Sequence, residues 1–201
     1  MQDCHISDTL KKQIVFLGEA DKMKSVMRKT MLTDLSRQES DADHSWHISL
    51  MAMTLFSYVG FDDVDLDRVI RMTLVHDLVE IYAGDTYAYD DAGNADKEQR
   101  EKEAADRLFS LLPDEQAHEY RSLWEEFDAM QTHDAMYASA VDRLQPLLNN
   151  YLTSGHTWDG YNITAAQVFR RMDPVRIAIP AAWPFVEYVI SDSLQKGYLL
   201  P

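Results

Sequence analysis

Long stretches with a helical spacing of apolar residues, interrupted by few glycines and prolines, limit the folds open to this chain more than any other feature. The 201 residues include only 7 Gly and 6 Pro. Between them, apolar side chains recur three or four positions apart, as in residues 66–83, and this spacing is typical of buried helices. No run alternates between apolar and polar residues in the way that predicts a strand. The sequence therefore predicts an all-α fold.

Capping residues and breakers divide the chain into seven or eight expected helices. The first is expected to begin after Ser7 and to bury an apolar stripe of Leu10, Ile14, Phe16 and Leu17. Residues 23–40 are expected to form a short helix that runs into a loop. Later helices are expected at about 41–60, 66–83 with Gly84 as the C-cap, 97–112, 114–130 and 134–152, with two short ones after a loop at 153–162.

The length and composition predict one domain that spans residues 1–201. Hydrophobic residues make up 46% of the chain, which is enough to fill a core and argues against general disorder. We expect the core of this domain at about residues 20–155. A C-terminal helical extension is expected at about residues 156–201.

Cysteine content and targeting patterns predict the compartment. The single cysteine, Cys4, excludes an internal disulfide framework and fits the reducing cytoplasm. No N-terminal stretch combines a basic flank, an apolar centre and a small-residue cleavage site. No apolar run approaches the length of a membrane span. We therefore expect a cytoplasmic protein that does not act at a membrane.

The net charge argues against nucleic acid as a partner. Lys and Arg total 19 and Asp and Glu total 34, so the formal net charge is -15. A field of this sign repels polyanions. A small anionic substrate remains compatible with the charge, provided that a metal ion and a few arginines reverse its sign inside a pocket.

Imidazole and carboxylate groups lie inside three otherwise apolar segments. His76 and Asp77 are adjacent in LVHDLVEIYAGD, His44 lies in DADHSWHISLMAM, and Asp142 interrupts ASAVDRLQPLL. Burying a carboxylate in such surroundings is costly unless a cation or hydrogen bonds compensate its charge. Two histidines and two aspartates delivered from three helices supply a mixed nitrogen and oxygen ligand set. Such a set suits Mn, Co, Fe, Zn or Mg.

The order of these residues resembles the HD superfamily of metal-dependent phosphohydrolases. An isolated histidine is followed by an adjacent His-Asp pair and then by a distant aspartate. The strings SRQESDADHSWH, LVHDLVEIYAGDTYAYD and VDRLQPLLNNYL are similar to the branch that contains 5′-deoxynucleotidases, and the likeness covers roughly residues 20–200. The resemblance implies an HD-domain helical bundle. It also implies the metal ligands His44, His76, Asp77 and Asp142.

Further roles are carried over from the same resemblance. Glu80 matches the acid assigned to the attacking water or to proton transfer, and Asp85 matches a second acid near the leaving group. Glu80 also follows His76 by four positions, which places both on one face of a continuous helix. Arg28 matches the arginine that contacts phosphate. Its neighbourhood, RKTML, lacks the tryptophan that helps family members exclude a ribose 2′-hydroxyl, so the resemblance does not extend to sugar preference.

These observations predict a hydrolase that removes phosphate from a small phosphomonoester, with a (deoxy)nucleoside 5′-monophosphate as the leading substrate. One alternative is an HD hydrolase of another phosphorylated metabolite or of a nucleotide diphosphate or triphosphate. A second alternative is a regulatory module that binds a metal without turnover. His47 and Arg37 lie near the motif without an assigned role: His47 fits either a structural hydrogen bond or support of a ligand, and Arg37 fits the site, the loop or a pair with Glu39.

The C-terminal segment predicts the assembly state. Members of the resembled branch are often homodimers, and aromatic and apolar side chains are concentrated near the end of this chain, at Trp183, Phe185, Tyr188 and Val189. We expect a homodimer that uses this segment. The alternative is that these side chains close the helical bundle of a single chain.

Overall fold

The computed structural model describes residues 6–90 and 92–201, and helices make up most of these two ranges. Cys4, which carried the expectation about redox compartment, lies outside the described residues. The helices are α1 (Asp8–Ala20), α2 (Asp41–Leu55), α3 (Leu66–Val75), α4 (Glu80–Ala83), α5 (Lys97–Phe109), α6 (Asp114–Ala129), α7 (His133–Leu152), α8 (His156–Asp159), α9 (Ala165–Arg171), α10 (Asp173–Ala178) and α11 (Trp183–Gln195). Within the described ranges, none of them combines the length and apolar content that crossing a bilayer requires.

Side-chain caps fix the starts of the helices that build the site. At the start of α2, the Ser40 hydroxyl accepts from the Asp43 backbone N–H and the Asp43 carboxylate accepts from the Ser40 N–H, which forms a capping box. Asp65 accepts from two backbone N–H groups at the start of α3. Thr132 caps α7 through the N–H of Ala135. These polar residues satisfy N–H groups that a helix leaves unpaired at its start.

Helix α7 is the central element of the bundle. It packs against α2, α3, α6 and α10, and its buried residues include Tyr137, Val141 and Leu147. One apolar cluster joins side chains from α1 through α11, including Phe16 of α1 and Ile190 of α11. Because α7 is packed on several sides, the polar groups that it carries inward are fixed in position by the surrounding core.

A small antiparallel hairpin replaces the loop that the sequence predicted before α2. A 3₁₀ helix at Asp21–Ser25 leads into strands β1 (Met27–Met31) and β2 (Gln38–Ser40). The helix-to-loop expectation for residues 23–40 is therefore wrong beyond the first turn. The strands are too short for an alternating pattern to be recognised, and β1 is held by packing on α7 and α8. The hairpin matters because β1 carries Arg28.

The helix expected at residues 66–83 is interrupted in the middle. Helix α3 ends at Val75 and α4 begins at Glu80. Between them the backbone forms tight i to i+3 hydrogen bonds, including that from the Glu80 N–H to the Asp77 carbonyl oxygen at 2.9 Å. Gly84 then caps α4 with a φ of 77°, as expected of a C-cap. The sequence predicted that His76 and Glu80 lie on one face of a continuous helix, and this prediction is wrong because the helix is broken between them. The turn at residues 76–79 sets their relative position instead.

Two apolar predictions also need correction. In α1 only Phe16 of the expected stripe is buried, whereas Leu10, Ile14 and Leu17 are 45%, 52% and 66% exposed. Val189, one of the four residues expected at a dimer surface, is fully buried in the core. After the loop at 153–162, which contains the short helix α8, three helices follow rather than two.

Candidate metal centre

The structure brings together the four residues that the sequence suggested as metal ligands. His44 comes from α2, His76 and Asp77 from the turn after α3, and Asp142 from α7. His44 Nε2 lies 2.9 Å from Asp142 Oδ1, and His76 Nε2 lies 3.0 Å from Asp77 Oδ1. One ligand atom from each of His44, His76 and Asp77 lies within 4.8 Å of the others. These separations allow the atoms to share one ion.

Hydrogen bonds on the far side of each ring orient both histidines. His44 Nδ1 lies 3.0 Å from Gln145 Oε1, and His76 Nδ1 lies 2.9 Å from the Thr73 carbonyl oxygen. Both oxygens can only accept, so each Nδ1 carries a proton, and Nε2 is the nitrogen that each neutral ring can offer to a metal. A partner of this kind is the usual support of a metal-binding histidine.

One buried nitrogen indicates that the cluster fits a metal ion. His76 Nε2 is buried and has no hydrogen-bond partner among the described residues. It lies 3.0 Å from Asp77 Oδ1, but the angles at this contact are not those of a hydrogen bond. A buried polar atom without a partner is costly. A divalent cation bound to Nε2 removes that cost, and the His and Asp donors suit such an ion.

The charges around the cluster keep its carboxylates ionised. Burial opposes ionisation of Asp77, but the charges of His76 and Arg28 outweigh it and hold the pKa of Asp77 well below its usual range. For Asp142, burial is likewise outweighed by the hydrogen bond and charge of His44, and the pKa is strongly lowered. Burial, followed by the charge of Arg28, lowers the pKa of His44. For His76, burial is outweighed by the charges of Asp77 and Asp142 and the pKa is raised, so a metal displaces a proton from this ring when it binds. Ionised carboxylates and neutral imidazole are the ligand forms that a metal requires.

A second group of carboxylates lies beside the first. One oxygen from each of Asp41, Glu80 and Asp85 lies within 4.8 Å of the others. Burial and then the charge of Asp77 raise the pKa of Asp41 to about 8 and raise that of Glu80 well above its usual value. Burial also raises the pKa of Asp85. Asp41 Oδ2 and Glu80 Oε2 are buried without hydrogen-bond partners among the described residues. The group can therefore hold protons or a cation.

Asp41 is the acid that the sequence interpretation missed. The sequence had suggested no role for Asp41, and yet its side chain is fully buried. A signal was available: α2 begins DAD, and its capping box uses only Asp43. The other carboxylate therefore had no local role to explain it.

Arg28 reaches the site from β1. Its Nη1 lies 2.8 Å from Asp77 Oδ2 and 3.5 Å from Asp41 Oδ1, and its Nε lies 3.6 Å from Glu39 Oε2. Burial opposes its charge, but Asp77 and Glu80 outweigh that effect and raise the pKa of Arg28. Its side chain is 12% exposed. The structure thus puts Arg28 beside the predicted ligands, where it neutralises several carboxylates.

The two residues without an assigned role lie outside the cluster. Arg37 pairs with Asp43 at 2.7 Å, and this places it at the exposed start of α2. His47 Nδ1 lies 3.3 Å from Gln145 Nε2, so it accepts from the same amide that supports His44. Gln145 is fully buried and lies 101 positions after His44 in the sequence. Nothing in the sequence singles it out, because the role of a glutamine in a helix depends on a partner that only the fold reveals.

A pocket of about 200 Å³ opens onto the cluster. Arg28, His76, Asp77, Glu80 and Asp85 contribute to its lining, as does Asp142. Lys97, Arg143 and Arg171 line it as well, and the sequence interpretation had not singled them out. The pocket brings predicted metal ligands, acids of the second group and basic side chains into one space. It can hold a small anion against both sets of carboxylates when a cation is bound.

Comparison with known proteins gives the family. The HD domain family model matches residues 20–183. The human 5′-deoxynucleotidase HDDC2 is 31% identical over 134 residues, which cover 66% of this chain and 64% of that protein, slightly less than two thirds of its length. The Xenopus laevis 5′-deoxynucleotidase HDDC2 is 29% identical over 164 residues, with 78% and 80% of the two chains covered.

A solved structure extends the likeness over nearly the whole chain. The crystal structure of a predicted metal-dependent phosphohydrolase from Magnetospirillum magnetotacticum is 46% identical, with a TM-score of 0.91 and 96% of each chain covered. The helical bundle and the clustered His and Asp side chains agree with both comparisons. This chain is therefore a member of the HD-domain family.

Proposed function

We propose that this protein is a metal-dependent phosphohydrolase that removes phosphate from a (deoxy)nucleoside 5′-monophosphate. The observation that carries the proposal is the pair of Nε2 atoms of His44 and His76, each oriented by a hydrogen bond at Nδ1 and grouped with Asp77 and Asp142 at a pocket. The names of the human and Xenopus relatives support a nucleotide substrate.

In this proposal His44, His76, Asp77 and Asp142 hold one divalent ion. The nitrogen and oxygen donors are compatible with Mn, Co, Mg, Fe or Zn, and no thiolate lies among the clustered ligands of the described residues. Such an ion supplies Lewis-acid polarisation of a phosphate oxygen and activation of water. Arg28 adds a positive charge on the same side of the pocket and binds a phosphate oxygen once the substrate competes with its carboxylate partners.

Glu80 and Asp85 manage the protons of the reaction. Water attacks phosphorus, the ester bond between phosphorus and the 5′-oxygen breaks, and the products are the nucleoside and phosphate. Glu80 takes a proton from the attacking water, and Asp85 donates one to the departing 5′-oxygen. The raised pKa of Asp85 supports the donor role, since a carboxyl must hold a proton to give it. The pKa of Glu80 is also raised in the metal-free protein, so its role as a base requires a bound cation that offsets the charge of Asp77 and lets Glu80 ionise. The alternative for Asp41, Glu80 and Asp85 is to hold a second cation.

A substrate panel tests the proposed function. Chelated protein is reloaded with Mn, Co or Mg, and phosphate release is measured on deoxynucleoside and nucleoside 5′-monophosphates, on nucleotide diphosphates and triphosphates, and on sugar phosphates. We expect the highest kcat/KM with the 5′-monophosphates. Preference for another phosphorylated metabolite or for a triphosphate favours the first alternative. Retained metal with no release from any compound contradicts the enzyme and favours a regulatory module.

The same proposal includes one domain and a homodimer. The apolar cluster that joins α1 to α11 supports a single unit with a C-terminal extension.

For the dimer, the support is a groove of about 470 Å³ between α2 and the C-terminal helices, lined by Leu50, Tyr58 and Phe185 among others. These three side chains are 45%, 55% and 39% exposed. Contiguous apolar surface of this kind is typical of an interface.

A further inference from the structure

The pocket has a second set of lining residues that the proposed chemistry does not use. Tyr87 comes from the loop after α4, Leu147 and Asn150 from α7, Trp158 from α8 and Val168 from α9. We call these five residues the distal subpocket. Leu147, Trp158 and Val168 are 2%, 2% and 0% exposed, so the subpocket is built into the core rather than lying on the surface.

Two polar atoms of the distal subpocket are buried without partners. Asn150 is 4% exposed, and its Nδ2 donates to the Pro146 carbonyl oxygen at 2.9 Å. A carbonyl oxygen can only accept, so this bond fixes the amide orientation and leaves Asn150 Oδ1 as the free acceptor. Asn150 Oδ1 and the Tyr87 hydroxyl have no hydrogen-bond partner among the residues that the structure describes.

The Tyr87 hydroxyl is a hydrogen-bond donor in this setting. Burial, followed by the neighbouring Tyr89 and Tyr161, raises the pKa of Tyr87, so the hydroxyl keeps its proton. Its ring centroid lies 4.6 Å from that of Tyr161 and 5.4 Å from that of Tyr89, which holds the ring in place. One fixed donor and one fixed acceptor thus share a pocket with apolar walls. Groups left unsatisfied in this way reduce stability, and a ligand that pairs with both removes the penalty.

A planar heterocycle matches this combination better than an anion does. Apolar and aromatic walls contact the faces of a ring, and a donor beside an acceptor pairs with a polar ring edge. Each common nucleobase presents an N–H donor next to an acceptor on its pairing edge, and proteins read that edge while stacking on the faces. A second phosphate would instead meet the negative end of the Asn150 amide and the apolar side chains of Leu147 and Val168.

Two arginines strengthen the match. Arg143 and Arg171 line the same pocket, and within residues 6–90 and 92–201 neither has a carboxylate oxygen within 4.0 Å. Arg143 donates instead to the Arg171 carbonyl oxygen at 3.4 Å. Their remaining N–H groups are available to carbonyl oxygens or ring nitrogens of a base.

We propose that the distal subpocket binds the nucleobase of the substrate, with Asn150 accepting from a base N–H and Tyr87 donating to the adjacent acceptor. This inference rests on the proposed nucleotide substrate and assigns residues to base recognition that the metal chemistry does not involve. It predicts that the subpocket contributes to the binding of nucleotides and much less to that of phosphomonoesters without a base.

Paired substrates test the proposal. KM is measured on a deoxynucleoside 5′-monophosphate and on 4-nitrophenyl phosphate, which has no nucleobase edge, for wild type, Tyr87→Phe and Asn150→Leu. Loss of one uncharged hydrogen bond is expected to raise the nucleotide KM roughly 3- to 10-fold, with a smaller change on 4-nitrophenyl phosphate. Tyr120→Phe, which removes a hydroxyl on α6 outside this pocket, is the matched control and should match wild type on both substrates.

Stability separates a ligand-binding hydroxyl from a structural one. Tyr87→Phe removes a buried hydroxyl that makes no internal hydrogen bond, so its Tm is expected to equal or exceed that of wild type. A hydroxyl that supports the fold would give the opposite result. A lower Tm together with equal losses on the two substrates would therefore overturn the assignment.

A binding experiment tests this inference separately from the proposed hydrolysis. Binding of deoxynucleosides and, separately, of inorganic phosphate to metal-loaded protein is measured by calorimetry. Tyr87→Phe and Asn150→Leu should weaken deoxynucleoside binding and leave phosphate binding unchanged. Deoxynucleoside binding that depends on Tyr87 in a protein inactive on every phosphomonoester contradicts the proposed hydrolysis alone. Absent deoxynucleoside binding in wild type, or variants that weaken phosphate binding only, overturns the base subpocket.

Discussion

At the scale of single residues, Asp77 links a predicted metal ligand to the arginine of the site. Its carboxylate lies 3.0 Å from His76 Nε2 and 2.8 Å from Arg28 Nη1. Removing it leaves the remaining ligands and Arg28 without their shared anion. We expect folded Asp77→Ala to lose both bound metal and hydrolysis, as measured by metal mass spectrometry and phosphate release. Asp67→Ala, an exposed acid on α3, serves as the control, and stoichiometric metal in Asp77→Ala would show that Asp77 is not a ligand.

Glu80 distinguishes proton transfer from metal binding. In the proposed chemistry it acts on the attacking water and does not hold the first ion. Glu80→Gln should then keep one bound ion per chain and a Tm near that of wild type, while kcat falls about 10²- to 10⁴-fold, the usual cost of losing a positioned acid or base. The glutamine keeps the size of the side chain but cannot exchange the proton. Loss of metal from Glu80→Gln, with turnover restored by excess metal, would instead make Glu80 a ligand together with Asp41 and Asp85.

At the scale of elements, one amide joins three parts of the fold. Gln145 of α7 accepts from His44 of α2 at 3.0 Å and donates to Glu39 of β2. The first bond holds the His44 proton on Nδ1 and leaves Nε2 for the metal. Partners of metal-binding histidines typically contribute about 10- to 100-fold to metal affinity. Gln145→Ala should therefore weaken metal binding on that scale in a competition titration. Gln99→Ala on α5, a surface glutamine bonded to Glu103, should bind metal like wild type, and equal affinity in both variants would exclude the support role.

The elements also show how far the sequence could predict this molecule. Both bounds of α7 and the start of α2 were predicted closely because the polar residues at a helix start and the apolar period are local signals. The end of α2 lies at Leu55 and not near residue 60, because the chain continues there as a 3₁₀ turn. The hairpin was not, because its strands are short and are stabilised by α7 and α8, more than 100 positions later. The break after Val75 was missed as well, since residues 76–79 keep helical apolar spacing and only the tertiary structure imposes the turn.

The same limit applies to the site. His44, His76, Asp77 and Asp142 could be singled out because a buried charged residue type stands out in an apolar helix. Gln145 and Asn150 could not be singled out, because the role of an uncharged polar side chain in a helix depends on the tertiary structure. Gln145 contacts His44 only in the folded chain, and only the structure shows that Asn150 Oδ1 has no partner among the described residues.

At the scale of the whole molecule, the apolar surface near the C-terminus predicts assembly. Phe185 is 39% exposed at the groove between α2 and the C-terminal helices. We expect a homodimer by light scattering at micromolar concentration, and Phe185→Glu should convert it to a monomer because a carboxylate is costly to bury in an apolar interface. Leu17→Glu tests the other exposed apolar surface, on α1. Monomeric wild type rejects the dimer, and dissociation by Leu17→Glu alone moves the interface to α1.

The buried carboxylates predict how the stability of the whole chain depends on pH when no metal is bound. Burial raises the pKa of Glu39 to about 7 and that of Asp41 to about 8, above the values of an unfolded chain. The folded state therefore binds these protons more tightly than the unfolded state does. The stability that they contribute is fully present below the unfolded pKa values and is lost as pH rises through about 7 and 8. The Tm of chelated protein should consequently fall from about pH 4, near the unfolded pKa values, to about pH 8 and should change little above it.

Bound metal should reduce this pH dependence. A cation that binds only the folded state stabilises it by mass action, and it favours the ionised carboxylates that higher pH provides. Scanning calorimetry across that pH range, with chelator and with Mn²⁺, measures both slopes. Asp41→Asn removes one of the titrating groups and should make the slope of the chelated protein less steep, whereas Asp67→Asn, at an exposed position on α3, should leave it unchanged. A Tm of the chelated protein that rises with pH would mean that these carboxylates are already ionised in the metal-free fold, with Arg28 as their sufficient counter-charge.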